Sequence, residues 1–239
     1  MTQINAPTTA AQSDRILLGI ALMLGFCISA PLIDVASKLA ASSLPVGQIT
    51  TARFMVQAVL MAPVCLLLGH SLRLGPGVLG DLIWRAILLI LSTYCFVAAI
   101  QVMPIADALA IVFVEPFIIL LMGKLLFGDE VGPRRIGASI VGFAGALLVI
   151  QPSFATFGLV AVYPLGTALF FAFYMLVTRS LSRRMHPIPM QLYTATVAAV
   201  ICLPIMGIAE IWNIPTLDPH MPQGFAWLWL FGVGLASAV

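Results

Sequence analysis

The chain has 239 residues, 62% of them hydrophobic and 8% charged, with a formal net charge of +2 and a mean hydropathy of +1.11. A soluble domain carries about 25% charged residues, so too little polar surface exists here to cover a water-facing globule. Disordered chains and nucleic-acid binders are excluded by the same figures, since 11 Lys+Arg against 9 Asp+Glu make no basic footprint.

A bilayer core needs about 20 apolar residues per helix, and such runs follow one another along the chain. After a polar head at 1–15, spans are predicted at 16–41, 49–69, 82–102, 105–127, 135–150, 157–177, 190–208 and 225–239. The head is not a signal peptide, because the apolar run behind it exceeds the about 7–15 residues of an h-region. A membrane β-barrel would alternate apolar and polar residues at period two. The pattern therefore predicts an all-α integral membrane protein with about eight transmembrane helices.

Charge then orients the chain. Arg15, Arg73, Arg85, Lys124, Arg134, Arg135, Arg179, Arg183 and Arg184 flank loops on one side of the membrane. The opposite loops, around Pro45, Pro104, 152–156 and 218–222, hold no Lys or Arg. By the positive-inside rule the N-terminus is cytoplasmic. The remaining basic residues, Lys38 and Arg53, lie inside spans, as do Asp34, Asp107 and Glu115. Charge at membrane depth costs about 2.5–3.5 kcal/mol per residue on insertion scales, so by default it marks function.

The second and seventh spans resemble each other. One opens with Pro45 and Gln48-Ile49-Thr50-Thr51-Ala52-Arg53 and carries Pro63; the other opens with Pro189 and Gln191-Leu192-Tyr193-Thr194-Ala195-Thr196 and carries Pro204. They are five spans apart, and an odd-numbered block inverts its topology when duplicated.

A longer ordered set joins this one: Met103-Pro104-Ile105-Ala106-Asp107-Ala108, Val114-Glu115-Pro116-Phe117, Phe127-Gly128-Asp129-Glu130 and the Gly-rich stretch 137–145. Together these resemble the EamA family of the drug/metabolite transporter superfamily. The resemblance covers about 19–151 well and 158 onward loosely. It implies ten helices as two inverted five-helix repeats with a substrate path between them, and it makes Glu130 a family-typical position. On this reading 1–15 is a cytoplasmic tail, 16–151 a first repeat and 157–239 a partial second repeat without counterparts of helices 9 and 10. The faces those helices would cover predict poor expression of the chain alone, or rescue by another chain such as a homodimer partner.

Several residues are candidates for the substrate path. Asp34 and Lys38 are four apart and share a helix face; they either pair locally, with Lys38 snorkelling outward, or line the path. Arg53 and Asp107 lie at similar depths and either pair between spans or act as interfacial anchors. Gln57, Tyr94 and Gln101 either line a polar cavity or hydrogen-bond between helices. Trp212, Trp227 and Trp229 suit an interfacial aromatic belt, and Ala138, Gly142 and Ala146 form a stripe that permits close helix packing.

Glu115 lies ten residues into its span, or about 15 Å deep at about 1.5 Å per residue, near the centre of a hydrocarbon core of about 30 Å. The other four charges sit shallower. Three acids face two bases at depth, so Glu115 is the odd one out. Such a carboxyl can take a proton from one side and release it to the other. Pro116 beside it removes a helix hydrogen bond and predicts a kink.

These features point to a secondary transporter of a small organic metabolite or drug in a bacterial inner membrane, with Glu115 as candidate proton carrier. No Walker-type segment exists, so this chain alone does not drive transport with ATP. An intramembrane enzyme would need a nucleophile with its base, or a metal motif, at depth. His70, His186 and His220 all fall in loops and HExxH is absent. Cys27, Cys65, Cys95 and Cys202 lie in apolar runs without CxxC or Cys/His spacing, so no metal or cofactor is expected. The alternative is an inactive truncated fragment or an accessory subunit without transport of its own.

Overall fold

The structure is a computed structural model that describes residues 9–69, 74–75, 77–129, 131–150, 158–212, 217, 221–222 and 224–238. Arg73, Glu130, His70, His220, Asp218 and the 152–156 loop lie outside the described residues, as do the side chains of Arg15 and Ala146.

The described chain is helical, with no strand among the described residues. The helices are α1 (Thr9–Ala41), α2 (Val46–Leu67), α3 (Val78–Val102), α4 (Ile105–Val112), α5 (Glu115–Phe127), α6 (Pro133–Ile150), α7 (Val162–Leu181), α8 (Pro187–Ile211) and α9 (Ala226–Ala238), with a 3-10 turn at Gly158–Ala161 before α7. Among the described residues, five segments are long and apolar enough to cross a membrane: Val46–Leu67, Val78–Val102, Ile105–Phe127, Gly158–Leu181 and Pro187–Ile211. Prolines set several starts: Pro45 and Pro104 stand just before α2 and α4, and Pro187 opens α8. Proline suits these positions because the first helical N–H groups have no intrahelical partner.

Several boundaries differ from the sequence expectation; α1, for example, starts at Thr9, seven residues before the predicted 16, and two differences bear on the site. α3 starts at Val78, four residues before the predicted 82, behind Gly77 at φ 74°. The fourth span is not one helix. It breaks at Phe113–Val114, so that Glu115 becomes the first residue of α5. Pro116 is the cause, because it has no N–H to give to the carbonyl of Val112.

α2, α3, α7 and α8 form the centre. α3 packs on α7 and α8, α2 packs on α8, and α9 bridges α1 and α2. A buried cluster of Phe54, Ala86, Leu88, Leu89, Tyr174, Ala198, Ala199 and Cys202 joins the four central helices. Its alanines let backbones approach, which is how helices gain contact in lipid. Glycine does the same elsewhere. A Cβ on Gly166 of α7 would stand 3.2 Å from Cys95 Sγ on α3, and one on Gly234 of α9 would stand 2.3 Å from Val56 Cβ on α2.

Large apolar side chains face outward, as in a protein solvated by lipid. Ile20, Leu24, Ile28, Leu32, Val35 and Leu39 make one exposed stripe along α1. α6 is peripheral and touches α4 and α5, where Phe143 meets Phe117 edge-on at 5.7 Å. The close packing expected at Gly142 is absent, since nothing lies within 4 Å of a Cβ placed there. Trp212 and Trp227 are exposed, in keeping with an aromatic belt.

Candidate functional site

A cavity of about 570 Å³ lies inside the bundle, walled by α1, α2, α3, α7 and α8 with the α4–α5 break and the end of α9. Four charged residues reach it: Asp34 from α1, Arg53 from α2, Arg85 from α3 and Glu115 from the first turn of α5. Apolar and aromatic side chains, among them Phe96, Phe171 and Met175, form much of the remaining wall. A chamber of this size suits a small organic molecule.

The sequence predicts Arg85 as a loop-flanking charge, whereas the structure places it in the interior. The earlier start of α3 sets it seven residues into the helix, about 10 Å deep, and it is 2% exposed. Its Nε donates to Thr178 Oγ1 at 2.8 Å, and its Nη1 donates to Thr194 Oγ1. Its Nη2 donates to Tyr174 Oη at 2.6 Å and to Gln191 Oε1 at 3.3 Å. The guanidinium carbon lies 4.5 Å from the centre of the Tyr174 ring. Helix periodicity builds this nest. Tyr174 and Thr178 are four apart on α7, and Gln191 and Thr194 are three apart on α8, so each pair shares a face. Both threonines donate their protons back to carbonyls one turn earlier, of Tyr174 and Met190 at 2.7 Å. Their oxygens are thereby turned to accept from the arginine.

Arg53 reaches the same cavity from α2. Its Nη1 donates to Thr93 Oγ1 at 3.0 Å, while its buried Nε has no hydrogen-bond partner. Asp34 attracts it electrostatically, although no ion pair within 4 Å joins them among the described residues. Glu115 is half-buried at the α4–α5 break. The N–H groups of Phe117 and Ile118 in the first turn of α5 are taken by the carbonyl of Val114, and Pro116 has none to offer.

The remaining candidates do not line this cavity. Lys38 does not pair with Asp34 and does not snorkel outward. It donates to the carbonyls of Ile100 and Met103, the latter at 3.0 Å, and so caps the end of α3. Gln101 does the corresponding work for α1, donating to Ala41 O at 3.4 Å and Leu44 O at 3.2 Å. Gln57 Nε2 donates to Ser237 O at 2.8 Å and ties α2 to α9. Tyr94 packs against the apolar cluster around Ala40, Ile49 and Leu230. Asp107 stands away from the cavity, and Arg53 is held by Thr93 and Asp34 instead of by it.

Comparison with known proteins agrees with this architecture. Residues 17–151 match the model of the EamA-like transporter family. A riboflavin transporter of Rhizobium johnstonii is 37% identical over 98 residues, which is 41% of this chain and 32% of the relative. A riboflavin transporter of Vibrio cholerae is 26% identical over 82% of this chain and 63% of its own length. The pseudopaline exporter CntI of Pseudomonas aeruginosa is 27% identical over 84% of this chain and 67% of its own length. The chain thus spans 32%, 63% and 67% of the length of these three relatives. A crystal structure of a protein 18% identical shares the fold, with a TM-score of 0.66 over 90% of this chain and 74% of the other. These relatives are transporters, not enzymes. With its helices arranged around one central chamber and more than half of its length matched, this chain is an integral membrane protein and belongs to the EamA-like transporter family.

Proposed function

We propose that the chain carries a small organic metabolite across a bacterial inner membrane by secondary transport, with the central cavity as the binding chamber. The observation that carries this reading is the chamber itself: about 570 Å³, mostly apolar, with four charged side chains aimed into it from four helices. Charge at such depth is costly and by default marks a functional site. The relatives' printed substrates, riboflavin and pseudopaline, are small organic compounds, which supports this class of cargo.

The helix contacts support two inverted repeats, 16–151 and a partial 157–239. Exchanging the first, second and third spans with the sixth, seventh and eighth turns the α1–α9 contact into the α7–α3 contact. The same exchange turns α2–α9 into α8–α3 and leaves α2–α8 unchanged; all five contacts are present. A chamber between two such halves can open to either side in turn.

The cytoplasmic side is the one bearing Lys124, Arg134, Arg135, Arg179, Arg183 and Arg184. This orientation rests on loop charges without Arg85. A cysteine introduced at the exposed Ser182, in a background lacking Cys27, Cys65, Cys95 and Cys202, is expected to resist impermeant reagents applied to intact cells. Labelling from outside would reverse the topology.

Glu115 is the proposed proton carrier. It faces the chamber at the helix break and forms no ion pair among the described residues. In proteoliposomes loaded against riboflavin and a panel of amino acids and nucleosides, a pH gradient is expected to drive uptake of the cognate compound. Glu115→Gln keeps folding and binding but loses the gradient-driven component. Wild-type flux with unchanged pH dependence in that variant would remove Glu115 from the mechanism.

A further inference from the structure

The two arginines of the chamber differ in what neutralises them. Arg53 has Asp34 within electrostatic reach. Arg85 has only neutral oxygens around it: two threonine hydroxyls, a tyrosine hydroxyl and an amide. Among the described residues the ion pairs are Arg179–Asp129 and Arg184–Asp81, both at the surface. A side chain 2% exposed thus carries a full positive charge in the chamber wall without a carboxylate beside it. Burying such a charge costs several kcal/mol, and dipoles offset only part of that.

The corner also has donors to spare. Four hydrogen bonds use at most four of the five guanidinium protons. Tyr174 Oη accepts from Arg85, and its own proton goes to no described group, so it is a donor polarised by the cation behind it. Arg85 and Tyr174 both border the open volume. The Phe171 ring stands 5.3 Å from the Tyr174 ring, also on the chamber wall. A planar anionic group on an apolar or aromatic body meets charge, hydrogen bonds and apolar contact here at once.

We propose that Arg85 and the hydroxyl of Tyr174 form an anion-recognising corner that takes a carboxylate or phosphate group of the transported molecule. This deepens the transporter reading and rests on it. The relevant probes are benzoate, phenyl phosphate, benzamide and benzylamine, which share a ring and differ in charge. The experiment is the thermal transition of the purified full chain in detergent at fixed ionic strength. A ligand that binds only the folded state raises the midpoint.

Benzoate or phenyl phosphate at millimolar concentration is expected to raise the wild-type midpoint, and the stronger of the two identifies the preferred oxyanion. Benzamide and benzylamine leave it unchanged. Tyr174→Phe keeps the arginine and weakens anion binding about tenfold, the loss of one charge-assisted bond. Arg85→Gln abolishes the shift; if that variant does not fold, Tyr174→Phe decides the matter. The absence of an anion shift, a shift that benzamide reproduces, or one undiminished in Tyr174→Phe overturns the proposal. Metabolite flux without an anion shift would sink this corner and leave the transporter reading standing. An anion shift with no flux for any compound would do the reverse.

Discussion

The Arg85 and Arg53 regions of the chamber solve the same problem in opposite ways. Around Arg85, neutral acceptors on α7 and α8 meet the guanidinium on several sides. Around Arg53, a single threonine bond holds the side chain, Nε is left without a partner, and Tyr174 and then Asp34, on other helices, are the groups whose charge favours the cation. A cation fixed by hydrogen bonds is a structural rivet as well as a charge. A cation balanced at a distance can move relative to its acid. The Arg85 region therefore ties α3 to α7 and α8 by several bonds, and the Arg53 region ties α2 to α3 by one.

Removing each arginine sharpens that contrast. Arg85→Ala deletes several charge-assisted bonds and leaves four polar groups facing a void, so a loss of about 3 kcal/mol or more is expected. Arg53→Gln deletes one bond and leaves room for water from the chamber, so its loss is about 1 kcal/mol. Both are read as midpoints of thermal unfolding in one detergent. Equal losses would break the comparison.

Helix spacing supplies the next test. Gly234 on α9 leaves no space for a methyl group: its Cβ would lie 2.3 Å from Val56 Cβ and 3.3 Å from the carbonyl of Arg53. Gly234→Ala must push α9 from α2 beside Arg53, at about 1–3 kcal/mol. Val56→Gly in the same chain, which removes the clashing Cβ, is expected to restore part of that, less about 1 kcal/mol for a second glycine in a helix. Gly142→Ala on α6 meets open space and is expected to stay within about 0.5 kcal/mol of wild type. Because α9 does not contact α3 strongly enough to move the Arg85 nest, a Gly234→Ala protein should keep its benzoate response.

Much of the fold was legible because hydropathy alone separates lipid-facing helices from loops. The α4–α5 break was half legible: Pro116 announced a kink beside Glu115, and the structure turns the kink into a full interruption. Arg85 was not legible as a chamber residue, for a definite reason. Hydropathy places a helix start where polar residues end, whereas α3 begins a turn earlier, behind the left-handed Gly77. That one turn moves Arg85 from loop edge to interior. The signals that could have found it were the Tyr174/Thr178 and Gln191/Thr194 pairs, each a polar stripe on an otherwise apolar face. Lys38 and Gln101 misled in the other direction. Both are polar at depth, but each spends its donors on the orphan carbonyls of a helix end, a need that single-sequence reading cannot assign to a partner 60 residues away.

The smallest expected effect comes from a third arginine, this one exposed, which extends the comparison to the surface. α5 ends at Gly128 with φ 67°, and two bonds close the turn: Gly128 N–H to Lys124 O at 3.1 Å and Asp129 N–H to Gly123 O at 3.3 Å. This arrangement satisfies helix-end carbonyls and presents the Asp129 carboxylate to Arg179 on α7, whose Nη2 donates to Oδ1 at 2.9 Å. That hydrogen bond, with the positive charges of Arg179, Arg135 and Arg183, holds the carboxyl below its ordinary pKa. A group with its folded pKa depressed stabilises the fold fully above its unfolded value of about 3.9, and the benefit fades as pH falls through the folded value. The stability difference between wild type and Asp129→Asn should therefore be constant from neutral pH down to about pH 5 and vanish below the folded pKa. Both side chains are solvent-accessible, so the difference is small and shrinks further in 1 M salt. The Arg85→Ala loss, set in a buried nest, should not respond to salt. A salt-sensitive Arg85 effect, or an Asp129 effect that persists at high salt, would show that burial is not what separates these arginines.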